Sequence, residues 1–301
     1  MSEPVSELEI DPEALSALSR TLGARFDPRR LVEGTLSGAH RSPRQGVSVD
    51  FAQHREYVPG DELRHLDWRA YARSERYYIK QFEEDRNLRA WLLLDLSGSM
   101  RFCGGSTRSK GAYGALVAAG LARLMLQQGD AVGLRAFHSE VCTNLPPSTG
   151  AAQLPRFLES LKGSRFGAKA SVGDALWRLG EGLGARSVVF LLSDAFDFER
   201  SVAEVALRIQ GGGHQVVLLQ ILDPHEISFP YQEMTLFEGL EDESPVTGDP
   251  RSLASAYREE LDRFCETLRL RCFEGGVGYC QLRTDEPLER AFLRLLGEVS
   301  G

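Results

Sequence analysis

Oxygen-bearing side chains follow the first strongly apolar segment of the sequence, in the pattern Asp95-Leu-Ser97-Gly-Ser99. The run 91–94 is continuously apolar, as in a strand buried on both faces, so Asp95 is expected at the carboxyl end of that strand. The intervening Gly98 lets the loop turn so that the three polar side chains can point the same way. One carboxylate and two hydroxyls are hard oxygen ligands, which suit Mg²⁺ or Mn²⁺ better than zinc.

A second carboxylate, Asp194, occurs in a similar place. It follows the apolar, β-branched run 187–192. Open α/β sheets bind ligands outside the carboxyl ends of strands, where the strand order reverses. If the first four strands have the order 3-2-1-4, the strands that end at Asp95 and Asp194 are neighbours. The sequence therefore predicts a divalent-cation site, with Asp95, Ser97, Ser99 and Asp194 as ligands and with water or an acidic side chain of a partner protein in the remaining positions.

The pattern of elements from residue 90 onward predicts an α/β domain with a mostly parallel, doubly wound sheet, because strand-like and helix-like segments alternate. The predicted strands are 91–94, 131–137, 141–145, 187–192, 215–222 and 277–283. The predicted helices are 110–128, 154–161, 172–183, 198–209, 250–270 and 287–296. We expect three parts: an N-terminal amphipathic helix in 1–24, a β-containing extension in 25–89, and the α/β domain in 90–301. The acidic segment 224–250 is predicted to be rich in turns.

Composition and charge exclude several classes of protein. The formal net charge is −8, and contact with phosphates needs a cationic face, so we expect no nucleic-acid binding. The acidic N-terminus does not resemble a secretory signal, and the longest uncharged helical run, 111–122, is too short to cross a membrane. Five cysteines without a C-x-x-C pair indicate buried thiols rather than a disulfide framework. A cytoplasmic protein without membrane insertion is expected.

Two motifs resemble those of known proteins. Asp95-x-Ser97-x-Ser99 resembles the D-x-S-x-S motif of the metal-ion-dependent adhesion site in von Willebrand factor A domains. The run from Pro59 to Trp68, P-G-D-x-x-R-x-x-D-W, is similar to the signature of an uncharacterised family of bacterial von Willebrand A-like proteins. That family is usually encoded beside MoxR-type AAA+ ATPases. The resemblance extends from roughly residue 30 to residue 297.

The resemblance implies a Rossmann-like von Willebrand A fold with an N-terminal β-rich extension. It also implies that the D-x-S-x-S residues bind Mg²⁺ or Mn²⁺, with Asp194 as the distal acidic ligand. Such sites usually carry a threonine in a loop before a helix, and in this chain that position is Ala170, with Ser171 next to it. Either Ser171 replaces the threonine as a ligand, or the site is incomplete and binds the cation weakly.

These features together predict a non-enzymatic interaction module, whose partners are a MoxR-type AAA+ ATPase, a protein that offers an acidic side chain to the metal, or both. The expected role is in the assembly or maturation of other proteins. No catalytic residue is predicted, because the sequence lacks the G-x-S-x-G nucleophile motif, the P-loop and a helix-opening dinucleotide fingerprint. Two alternatives remain: a Mg²⁺-dependent hydrolase or phosphotransferase, for which no general base can be named, and a scaffold whose metal site is vestigial.

Overall fold

The structure is a computed structural model of the 301-residue chain. The residues that it describes are 8, 10–22, 26, 49–57, 71, 77–84, 87–138, 141–167, 178, 183, 186–196, 202–233, 235–237, 246–248 and 250–298. The chain divides into two units, of which the smaller is 42–88 and the larger combines 1–41 with 89–301.

The smaller unit contains an antiparallel pair of strands, β1 (Val49–Glu56) and β2 (Tyr78–Glu84). A shift in register lies between Phe51 and Gln53, as in a β-bulge. The side chains in 76–82 alternate in the manner that indicates a strand, and β2 covers most of this range. The whole P-G-D-x-x-R-x-x-D-W segment, Pro59 to Trp68, lies outside the described residues.

The larger unit is built on a six-stranded sheet flanked by helices. Its strands are β3 (Arg89–Asp95), β4 (Ala131–Phe137), β5 (Val141–Ser148), β6 (Val188–Ser193), β7 (Gln215–Leu222) and β10 (Gly278–Arg283). The order across the sheet is β10-β7-β6-β3-β4-β5, and every neighbouring pair is parallel except β4 with β5. Counted along the chain, this order is 3-2-1-4-5-6, which confirms the predicted order of the first four strands. The order therefore reverses between β3 and β6.

The described helices agree closely with the predicted ones, except for the short α5, which was not predicted. They are α1 (Pro12–Leu22), α2 (Lys110–Gln127), α3 (Gln153–Gly163), α4 (Val202–Gly211), α5 (Pro224–Ser228), α6 (Pro250–Glu274) and α7 (Leu288–Glu298). The predicted helix 172–183 lies largely outside the described residues, as does the start of the helix predicted at 198–209.

The helix α2 packs against the six-stranded sheet and against α1. Its small residues let other elements approach its backbone, so that it is buried almost throughout its length. A Cβ atom on Gly120 would lie 2.9 Å from Leu18 of α1 and 2.9 Å from Phe292 of α7. The N-terminal helix is thus part of the larger unit, and its Leu15, Leu18 and Leu22 are buried.

Two segments differ from the expectation. The segment 224–250, predicted to be rich in turns, also contains the one-and-a-half-turn helix α5 and a short antiparallel pair, β8 (Thr235–Phe237) and β9 (Val246–Gly248). Elements this short give no usable periodicity. The strand β5 also continues through Pro146 and Pro147. Prolines are tolerated there because β5 is the edge strand and pairs on one side only.

The burial of the cysteines differs in part from the prediction. No cysteine is in a disulfide, as predicted, but only Cys272 and Cys280 are buried, whereas Cys103 and Cys142 are exposed. The prediction of buried thiols was therefore wrong for these two residues.

In the described part of the chain, no helix combines the length and the apolar character needed to cross a bilayer.

Candidate functional site

The adjacent strands β3 and β6 bring the two predicted loops together. They pair in parallel with Leu94 opposite Leu192, so Asp95 and Ser193 leave the sheet side by side. The Ser193 hydroxyl donates a 2.7 Å hydrogen bond to Oδ2 of Asp95. Asp95 is 1% exposed and Asp194 is 2% exposed, so both carboxyl groups are buried at the point where the strand order reverses. Sequence analysis had not assigned a role to Ser193.

The loop after β3 turns back on the Asp95 carboxylate. The backbone N–H of Ser97 donates to Oδ1 of Asp95 at 2.9 Å, and a single 3-10 turn follows from Ser99 to Arg101. The hydroxyl oxygens of Ser97 and Ser99 lie 3.1 Å apart. The three residues of the D-x-S-x-S motif therefore lie together at one end of β3.

The Asp95 carboxyl group is in an environment that disfavours its negative charge. Burial raises its pKa to about 7, and the neighbouring Asp194 adds to this effect. Hydrogen bonds from Ser193 and Ser97 act in the opposite direction but do not cancel it. A cation near Asp95 would stabilise the ionised form.

A buried cation, Lys110, is already present beside the second carboxylate. Lys110 is the first residue of α2 and is 1% exposed. Its Nζ lies 2.8 Å from Oδ2 of Asp194 and 2.6 Å from Oε1 of Glu226. Burial alone would lower the pKa of Lys110, but the two carboxylates outweigh that effect and raise it. The ammonium group therefore remains charged in a site from which water is largely excluded.

The turn after β6 fixes the orientation of Asp194. Oδ1 of Asp194 accepts a hydrogen bond from the N–H of Phe196 at 3.2 Å, and the Ser193 hydroxyl accepts one from the N–H of Ala195 at 2.9 Å. Ala195 has a φ of +62°, a conformation that costs a residue with a Cβ about 1–2 kcal/mol. Both oxygens of Asp194 are thus engaged, one by a backbone N–H and one by Lys110.

A third strand end, that of β7, holds the other partner of Lys110 in place. Asp223 caps α5: its Oδ1 accepts from the N–H of His225, while Oε2 of Glu226 accepts from the N–H of Asp223 at 2.8 Å. This reciprocal arrangement is a capping box. Because one oxygen of Glu226 bonds to this N–H, the other is directed to Lys110.

The Asp223 carboxylate also anchors the loop that leads into α2. It accepts hydrogen bonds from the N–H groups of Gly104 at 3.2 Å and Gly105 at 2.7 Å, and from the hydroxyl of Thr284 at 3.1 Å. Asp223 is completely buried. This loop carries Lys110 at its end, so Asp223 positions the buried cation from two sides. Neither Asp223 nor Lys110 was identified from the sequence.

The predicted ligands can now be placed. Asp95, Ser97 and Ser99 lie together, and Asp194 lies close enough to Asp95 for its charge to raise the pKa of that residue, but it is ion-paired with Lys110. Ser171 and Ala170 lie outside the described residues. Within the described ranges, no three His, Cys, Asp or Glu side chains form a group that could hold a metal ion.

Comparison with known proteins places the chain among bacterial relatives. The family described as "Protein of unknown function DUF58" matches residues 53–264. Uncharacterized proteins of Mycobacterium bovis and Mycobacterium tuberculosis are 26% identical over 228 residues, which cover 74% of this chain and 69% of theirs.

Solved structures with detectable similarity include two from Bacteroides. The conserved hypothetical protein BatB of Bacteroides thetaiotaomicron is 16% identical with a TM-score of 0.43, and the match covers 71% of this chain and 99% of that one. An aerotolerance-related membrane protein of Bacteroides fragilis is 18% identical with a TM-score of 0.45, and the match covers 70% of this chain and 100% of that one.

Proposed function

Since the chain belongs to the DUF58 family of proteins of unknown function, we propose that it is a non-enzymatic protein-interaction module with a divalent-cation site. The cation, Mg²⁺ or Mn²⁺, would bind beside Asp95, Ser97 and Ser99. It would receive an acidic side chain of a partner protein as a further ligand. The site would thus correspond to the metal-ion-dependent adhesion site of the von Willebrand A domains that the sequence resembles.

The observation that carries this proposal is the convergence of the D-x-S-x-S oxygens. Mg²⁺ binds oxygen at 2.0–2.1 Å in near-octahedral geometry, which places adjacent ligands about 2.9 Å apart. The hydroxyl oxygens of Ser97 and Ser99 are 3.1 Å apart, close to that spacing. The Asp95 carboxylate lies in the same turn and has no basic side chain among its hydrogen-bond donors within the described residues. These three residues fit a hard divalent cation.

The charges around the site also support the proposal. The carboxylates of Asp95, Asp194 and Glu226 and the ammonium group of Lys110 are neighbouring charges: the charge of Asp194 acts on Asp95, and Lys110 is ion-paired with Asp194 and Glu226. When all are ionised, the group has a formal charge of −2. A divalent cation would balance this charge, and an open coordination position would make the loop a receptor for a partner's carboxylate.

Partner and compartment are proposed from the sequence resemblance. A MoxR-type AAA+ ATPase is the proposed partner, and the proposed role is in the assembly or maturation of other proteins in the cytoplasm. The ion pair between Lys110 and Asp194 favours one alternative, a scaffold whose metal site is vestigial, because the distal carboxylate is already neutralised. A hydrolase would need a general base beside the cation, and none can be named.

Thermal unfolding tests the cation site. A ligand that binds only the native state, present at 100 times its Kd, stabilises that state by about 2.7 kcal/mol. For a chain of this size, we expect Tm to rise by roughly 5 to 10 °C when chelator is replaced by Mg²⁺ or Mn²⁺. Asp95→Ala should lose this rise, and Asp262→Ala, at an exposed position on α6, should keep it. An identical Tm in chelator and in both metals would contradict the proposal.

A second experiment tests the partner. Because an AAA+ ATPase itself needs Mg²⁺, the metal is kept constant and the variants are compared. The wild-type chain and Asp262→Ala should retain a purified MoxR-type ATPase on a column, whereas Asp95→Ala should not. Equal retention by all three proteins would show that the Asp95 site is not the docking point.

A further inference from the structure

Lys110 lies where its charge acts directly on the proposed cation site. Its ammonium group is 2.8 Å from Oδ2 of Asp194, the carboxylate that resemblance assigns as the distal ligand. A hydrogen-bonded ammonium group and a metal ion cannot occupy the same face of one carboxylate oxygen. The two cations also repel each other strongly, because the surroundings are buried and have a low effective dielectric constant.

Lys110 has a second partner, Glu226, so it would still be ion-paired after leaving Asp194. Oε1 of Glu226 lies 2.6 Å from the same nitrogen, and Oε2 of Glu226 is held by the N–H of Asp223. The ring of Phe196 also contacts the ammonium group, with its centroid 5.1 Å from Nζ. The side chain therefore bridges two carboxylates and can remain paired with Glu226 alone.

We propose that Lys110 is an internal cation that competes with the divalent cation for Asp194 and thereby sets the affinity of the site. In the cation-free protein, Lys110 bridges Asp194 and Glu226. When the divalent cation binds, Lys110 keeps Glu226 and releases Asp194. Binding of the divalent cation is thus coupled to the position of Lys110, the first residue of α2. This inference rests on the proposed cation site.

The expected effect of Lys110 on affinity is large. A charge within about 4–6 Å commonly changes the protonation equilibrium of a neighbouring carboxyl group by 10- to 1000-fold. The binding constant of a divalent cation at the same carboxylate should change by at least as large a factor as the binding constant of a proton. We therefore expect loss of the ammonium charge to tighten Mn²⁺ binding at least tenfold.

Charge-matched variants separate this effect from a general change in charge. Lys110→Met combined with Glu226→Gln removes one positive and one negative charge, so the buried group keeps its formal charge of −2. The double variant is therefore compared with the wild type, whose formal charge it matches, and Lys162→Met, at an exposed position on α3, controls for loss of a lysine. Lys110→Gln is the second test variant, since it keeps a polar side chain of similar length without the charge.

The measurement is the Kd for Mn²⁺, obtained by titration with electron paramagnetic resonance detection, on each full-length protein after its fold has been verified by circular dichroism. The inference expects both the double variant and Lys110→Gln to bind at least ten times more tightly than the wild type. Lys162→Met should match the wild type.

The outcomes distinguish this inference from the proposed function. If all proteins bind Mn²⁺ within threefold of one another, the competition is refuted and the cation site stands. If the wild type does not bind and the variants without Lys110 do, the competition is supported and the proposed function of the native chain is refuted. If none binds, both are refuted.

Discussion

Replacement of Asp223 should destabilise the protein more than replacement of any exposed acid, because one buried carboxylate ties three segments together. It accepts hydrogen bonds from the N–H groups of Gly104, Gly105 and His225 and from the hydroxyl of Thr284. These donors belong to the loop before α2, to α5 and to the turn after β10. Asp223 is itself completely buried, and Asp223→Ala would remove the acceptor of all four bonds.

The magnitude follows from the number and the kind of these bonds. A hydrogen bond to a charged group contributes about 1.5–3 kcal/mol, and loss of a helix N-cap costs about 1 kcal/mol. Relief of the buried charge offsets part of the sum. We expect Asp223→Ala to lower the free energy of unfolding by about 4 kcal/mol, which corresponds to a fall in Tm of roughly 8 to 16 °C.

Asp223→Asn separates the hydrogen bonds from the charge. Its carbonyl oxygen can still accept from Gly105 and His225, but its NH₂ group would face the N–H of Gly104. The expected loss is about 1–2 kcal/mol, between the values for alanine and the wild type. Asp262→Ala, on the exposed face of α6, should change stability by about 0.5 kcal/mol or less.

Urea unfolding in chelator, followed by circular dichroism and tryptophan fluorescence, measures all three variants. Chelator removes any contribution of a bound cation. If Asp223→Ala costs no more than Asp262→Ala, the carboxylate does not hold these segments together. If the asparagine variant is as unstable as the alanine variant, the charge rather than the hydrogen bonds is responsible.

Three further predictions concern other parts of the larger unit. Gly105→Ala should cost about 1–3 kcal/mol in urea unfolding, because its Cβ would lie 2.7 Å from a histidine side chain. Gly163→Ala, where a Cβ meets no atom within 4 Å, should be neutral or stabilising, and equal costs would refute the argument. Asp95→Asn should raise Tm in chelator, since it removes a buried charge beside a second carboxylate, yet abolish any rise with Mn²⁺; a lower Tm in chelator would contradict this reasoning. Iodoacetamide at pH 8 should label the exposed Cys103 at least 100 times faster than Cys272, whose pKa burial raises to about 12; mass spectrometry of peptides would show comparable labelling if that reasoning is wrong.

Patterns of local sequence were sufficient to predict the sheet. The apolar run at 91–94 and the β-branched run at 187–192 indicate strands buried on both faces, and alternation with helices indicates parallel connections. The reversal of strand order between β3 and β6 follows from the doubly wound arrangement and places Asp95 beside the residues after β6. The convergence of the two loops was predictable because it depends only on the order of the strands.

The polar network around Lys110 was not predictable in the same way. Its two partners lie 84 and 116 residues away along the chain, and no local pattern relates them. A lysine at the start of a helix is ordinarily solvated, so its burial depends on how the ends of three strands meet. The role of Asp223 could not be predicted either, because its hydrogen-bond donors come from three separate segments of the chain.

The burial of α2 on all sides also limits how the chain can be shortened. The side of the helix that bears Gly120 packs against α1 and α7, where Gly120 lies close to Leu18 and Phe292 and where Arg123 donates to the hydroxyl of Ser19. A truncated protein that begins after Leu22 would present alanine, glycine and leucine side chains to the solvent. Such a surface promotes self-association, so α1 belongs in any expressed version of the α/β domain.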